Sequence, residues 1–112
     1  MTLLTLLMAQ MWLNQVPQEA PLVPHAIPLE ESGRYQSPRS YDETIEYYQR
    51  YFKKIGGVRF RDIVNLPGIK AKHLKCLSNQ TNWEGINIYE TKGEVRFFVL
   101  SRKEKITTKK NS

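Results

Sequence analysis

The run Trp83-Glu84-Gly85-Ile86-Asn87-Ile88-Tyr89-Glu90-Thr91-Lys92-Gly93-Glu94-Val95-Arg96-Phe97-Phe98-Val99-Leu100 reads as two strands folded back on each other. Residues 83–89 and 94–100 read as the two strands, although the second face they make is not cleanly polar. Glu90-Thr91-Lys92-Gly93 is expected to be the connecting loop, with Gly93 in the left-handed region. Pairing Tyr89 with Glu94 sets Ile88 beside Val95 and Ile86 beside Phe97. With Val99 these residues make one apolar face. Asn87, Tyr89, Arg96, Phe98 and Leu100 make the other, and Trp83 lies at the mouth of the hairpin.

Two more strands precede the hairpin. Val58-Arg59-Phe60-Arg61-Asp62-Ile63-Val64 alternates apolar with basic residues, with Val58 and Phe60 inward. Leu66-Pro67-Gly68-Ile69 has the type II turn pattern, since proline fixes φ and glycine accepts the positive φ that follows. Ile69 to Leu77 is the next strand. Its alternation breaks near His73-Leu74, which predicts a bulge or a twist there. Ser78 to Asn82 is a polar loop.

Ahead of the strands stands one helix. Ser40 and Glu43 form the S-x-x-E capping box, in which hydroxyl and carboxylate satisfy each other's backbone amides. Asp42, Glu43 and Glu46 lie in the first turns and Arg50, Lys53 and Lys54 in the last, complementing the helix dipole. Tyr41, Ile45, Tyr48 and Phe52 recur at helical spacing as an apolar stripe, broadened by Tyr47, Tyr51 and Ile55. Gly56 and Gly57 supply the stop. The tyrosines read as a half-buried packing face rather than a stacking platform. The expected architecture is α+β, with one N-terminal helix packed on a four-stranded antiparallel meander.

Composition divides the remainder. The chain has 112 residues, 17 Lys plus Arg against 11 Asp plus Glu, and a net charge of +6. Residues 1–33 hold no Lys or Arg, so every cation lies in 34–112. Residues 1–15 form an uncharged apolar leader whose stretch 3–13 has the length of a signal-peptide core but lacks the positive residues ahead of it. Residues 16–39 contain Pro17, Pro21, Pro24, Pro28 and Pro38 and read as a linker. Residues 40–101 read as the folded domain, and 102–112 as a basic disordered tail. No stretch of about 18 apolar residues is present, so no membrane-spanning helix is expected. One cysteine, Cys76, excludes a disulfide scaffold.

Enzyme chemistry finds little purchase. His25 and His73 are the only histidines, no ligand set has metal spacing, and no nucleophile elbow or phosphate loop appears. No cofactor, no metal and no catalytic residue is expected. Two binding readings remain. In the first, Trp83, Tyr89, Arg96 and Phe98 bind an envelope protein or small ligand on the second sheet face. The alternative cover for that face is the proline segment, with Leu22, Val23, Ile27 and Leu29 folded back over it. In the second, Arg59, Arg61, Lys70 and Lys72 bind nucleic acid or another anionic surface.

Arg34-Tyr35-Gln36-Ser37-Pro38-Arg39-Ser40-Tyr41 and Trp83-Glu84-Gly85-Ile86-Asn87-Ile88-Tyr89-Glu90 resemble a family of small, uncharacterised bacterial proteins that carry a leader ahead of about this much chain. The resemblance covers residues 34–101. It supports the boundary between linker and domain and an exported, periplasmic or secreted protein. It implies no activity and assigns no site residue. The function expected is a small exported, non-catalytic binding or structural module.

Overall fold

The computed structural model describes residues 16–102. The expected leader, and the tail beyond Arg102, lie outside the described residues. The elements are β1 (Ile27–Pro28), β2 (Arg34–Gln36), α1 (Tyr41–Lys53), β3 (Val58–Leu66), β4 (Ile69–Cys76), β5 (Trp83–Thr91) and β6 (Glu94–Ser101). The class is α+β with one antiparallel sheet, in the order β1-β2-β6-β5-β4-β3.

Two expectations need correction. The sheet has six strands rather than four, and the helix sits mid-chain rather than at the N-terminus. The added strands come from the proline-rich stretch. β2 carries no proline, so its amides are available, and it pairs with β6 through Arg34–Phe98, Tyr35–Phe97 and Gln36–Arg96. β1 holds Pro28 but lies at the sheet's outer edge, where a missing donor costs least.

The helix forms as its sequence dictates. Ser40 Oγ accepts from the Glu43 amide at 3.1 Å, and a Glu43 carboxylate oxygen accepts from the Ser40 amide at 3.3 Å. The chain leaves α1 through Gly56 and Gly57, at φ 72° and 80°. Both lie in the left-handed region that costs glycine least.

The core lies between α1 and one face of the sheet. Tyr41, Ile45, Tyr48 and Phe52 pack against Leu74, Cys76, Ile86, Ile88, Val95 and Phe97. Burying a side chain of this size contributes roughly 1.5–3 kcal/mol relative to leaving it exposed. The proline-rich stretch joins this core and does not cover the second face of the sheet. Val23 is buried there, at 1% exposure. Prolines remove backbone donors but keep every carbonyl, and the core's polar tips use them. Trp83 Nε1 donates to Pro17 O at 3.0 Å, Tyr48 to Pro21 O at 2.9 Å and Tyr47 to Leu22 O at 3.2 Å.

The β5–β6 register differs from the expected one by two residues. Thr91 pairs with Glu94, Ile88 with Phe97 and Ile86 with Val99. Lys92 and Gly93 alone make the turn, at φ 53° and 79°, the two positive values that a tight hairpin favours. A shift of two keeps every side chain on its expected face. The pairing of β4 runs unbroken through His73 and Leu74, and the bulge in this hairpin lies in β3, between Asp62 and Val64, where Ile63 is the extra residue.

A candidate anion-binding cleft on the open face of the sheet

Alternation along four strands separates two faces. The one turned from α1 carries Arg59 and Arg61 on β3, His73 and Lys75 on β4, Gly85, Asn87 and Tyr89 on β5, and Arg96, Phe98 and Leu100 on β6. Arg34 of β2, opposite Phe98, extends it. Among the described residues no element packs over this open face.

Trp83 is not part of it. Gly85 pairs with Leu100 and Trp83 with Ser101, so Glu84 is an extra residue in β5. That bulge reverses the direction of Trp83. Its ring enters the core 6.1 Å from the Phe52 ring, at 1% exposure. Strict alternation would have left it on the open face with Gly85, Asn87 and Tyr89.

Tyr89 and Phe98 do share the open face, half-buried, but Arg34 occupies them. Its guanidinium lies 4.3 Å from the Phe98 ring centre, and Nη1 donates to the Tyr89 hydroxyl at 3.2 Å. Nε of Arg34 pairs with Glu31 at 2.8 Å. Arg96 pairs with Glu94 at 2.9 Å, and its buried Nε has no partner among the described residues.

The sheet pleat divides the four expected anion-binding cations. Arg59 and Arg61 stand on the open face. Lys70 and Lys72 stand on the helix side, because each is an odd number of residues from His73. Lys72 Nζ pairs with Asp62 at 3.2 Å, and Lys70 Nζ lies 5.7 Å from the Tyr41 ring centre. Both are engaged within the fold.

Lys75 takes their place. A cleft of about 530 Å³ is lined by Arg59, Arg61, His73, Lys75, Glu84 and Arg102, with Leu100 at its side. The side chains of Arg59, Arg61 and Lys75 have no ion-pair or hydrogen-bond partner among the described residues. Arg102 is held differently. Nε donates to Thr81 O at 2.9 Å, and Nη2 reaches Ser78 O and Trp83 O at 2.8 Å each. These are neutral acceptors, so its charge is left uncompensated while its position is fixed. The cleft thus gathers four full positive charges against the single carboxylate of Glu84.

His73 lies across the cleft floor. Its Nδ1 is 2.6 Å from Asn87 Oδ1, its cross-strand neighbour. Paired with the amide oxygen, Nδ1 carries the hydrogen. Nε2 is then an acceptor in the neutral ring and a second donor in the cation. Gly85 makes room for this ring. A Cβ there would meet His73 Cε1 at 2.9 Å and Leu74 O at 2.6 Å.

Of the basic residues that the sequence places on the first two strands, Arg59, Arg61 and Lys75 reach the cleft, whereas His73 and Arg102 carry no anion-binding signal in the sequence. Lys75 was legible from parity, two residues from His73 and opposite Arg59 once β3 and β4 pair. Arg102 lay in a stretch whose composition resembles a tail. Among the described residues no group of three or more His, Cys, Asp or Glu side chains could hold a metal ion. No described helix is long and apolar enough to cross a membrane. Comparison with protein-family models, with curated proteins and with solved structures gives no match.

Proposed function

We propose that this chain is a non-catalytic binding module that holds an anionic partner in the cleft on the open face of its sheet. The observation that carries the reading is the convergence of Arg59, Arg61 and Lys75, all without partners, on one cavity. Elsewhere on the sheet, Arg34, Lys72 and Arg96 each have a carboxylate partner. Four cations held together against one carboxylate repel in the free protein, and an arriving anion relieves that repulsion.

The same geometry favours capture of a charged group over stacking of bases. Base stacking needs an aromatic ring with an open face. Arg34 lies over the Phe98 ring and also holds the Tyr89 hydroxyl. The two aromatics support the arginine.

Binding of fluorescently labelled linear polyphosphate, followed across ionic strength, tests this reading. Affinity is expected to fall steeply as salt rises, because bound counterions are released on association. The combined variant Arg59→Ala, Arg61→Ala, Lys75→Ala is expected to lose roughly tenfold or more at low salt, with a shallower salt dependence. All three side chains project from the sheet surface, so circular dichroism should show an unchanged fold. Equal affinity in the variant contradicts the assignment.

A further inference from the structure

We infer that the cleft is a seat for a phosphomonoester carried on a small hydroxylated molecule, such as a sugar phosphate. This rests on the anion-binding reading above and adds the identity of the anion and of the body attached to it.

The argument begins at His73. Asn87 Oδ1 fixes the ring at Nδ1, 2.6 Å away, and Nε2 has no partner among the described residues. The neutral ring therefore offers an acceptor amid cationic donors. A carboxylate or a sulfate ester has no hydrogen to give, so it can meet Nε2 only as an acceptor, when the ring is cationic. A phosphomonoester exchanges its second proton near pH 6, so it exists there as both monoanion and dianion. Its monoanion donates to neutral Nε2, and its dianion accepts from the imidazolium. Either way one proton is shared and the remaining phosphate oxygens face Arg59, Arg61 and Lys75. The planar guanidinium groups match pairs of phosphate oxygens.

Volume and Glu84 define the rest of the ligand. About 530 Å³ falls in the usual range for small-molecule sites and far exceeds one phosphate group. Glu84 lines the same cavity and opposes an anion. Facing hydroxyl groups instead, its carboxylate accepts hydrogen bonds. A charged head against the arginines and a hydroxylated body against Glu84 uses both signs of charge. Leu100 gives that body one apolar contact.

Isothermal titration calorimetry on the full chain at pH 7 separates the possibilities. Glucose 6-phosphate is expected to bind saturably, at least tenfold more tightly than glucose 6-sulfate or inorganic phosphate. His73→Gln is expected to abolish the preference for phosphate ester over sulfate ester. Glu84→Gln is expected to tighten inorganic phosphate while weakening the sugar phosphate relative to it. Equal affinity for the two esters, or a preference that survives His73→Gln, overturns the inference. Vesicles containing phosphatidic acid form a separate arm. If they bind and the soluble sugar phosphate does not, the small-molecule ligand is wrong. If polyphosphate binds and neither phosphomonoester does, this inference falls alone. If nothing anionic binds, the reading beneath it falls too.

Discussion

At the scale of single residues, Gly85 links packing to the cleft. It sits at a strand position where most residues would add a side chain to the open face. Here a Cβ would stand 2.6 Å from the Leu74 carbonyl oxygen and 2.9 Å from His73 Cε1. The imidazole could swing away, but a backbone carbonyl in a paired strand cannot move without disturbing the ladder. Gly85→Ala is therefore expected to cost roughly 1–3 kcal/mol, the usual range for overpacking. Urea denaturation measures this, and an unchanged midpoint would show that β4 and β5 are not packed as described. Trp83 illustrates the converse dependence. One extra residue, Glu84, decides whether the largest side chain of the strand enters the core or faces solvent.

At the scale of elements, the helix was legible almost to the residue because its signals are local. The capping box, the charge polarity and the glycine stop each act within a few residues. The two hairpins were legible as hairpins for the same reason, and side-chain parity survived a two-residue error in register. Bulges were not legible, because a bulge is an extra residue relative to a partner strand. The placement of Ile63 and Glu84 depends on what pairs with them. β1 and β2 were missed because five prolines dominate residues 16–39, while β2 needs only three proline-free residues and β1 tolerates Pro28 at the sheet's edge.

The helix also makes a testable statement about alkali. Burial raises the Tyr48 hydroxyl well above its ordinary value of 10.0, and Tyr41 and Tyr47 shift upward mainly for the same reason. A raised folded-state value means that the unfolded chain loses these protons first. Stability from this source is complete below pH 10 and declines as pH rises above it. Tyr48→Phe is expected to flatten that alkaline decline. Urea midpoints between pH 8 and 11 would show it, and an identical decline in the variant would place the dependence elsewhere.

At the scale of the whole molecule, the two faces of one sheet have different work. The helix face, closed by α1 and by the proline-rich stretch, holds the core. The carbonyls of Pro17 and Pro21 satisfy the Trp83 and Tyr48 donors, which would otherwise be left unpaired within the core, and Leu22 O takes the more exposed Tyr47 hydroxyl. That stretch is therefore part of the fold as well as a connection. The open face carries the cations left without partners. Arg59 and Arg61 lie on β3, an outermost strand, where charge also discourages edge-to-edge pairing with another sheet. Edge protection alone leaves Lys75, the fixed Arg102 and the pinned His73 unexplained. Anion capture accounts for all five together.

The most direct measurement is an amide chemical-shift map of the full chain titrated with polyphosphate at low salt. Anion capture in the cleft requires the largest shifts at Arg59, Arg61, His73, Lys75 and Gly85, reversed by added salt. Shifts centred on α1, shifts spread evenly over the chain's lysines, or no shifts at all would contradict it.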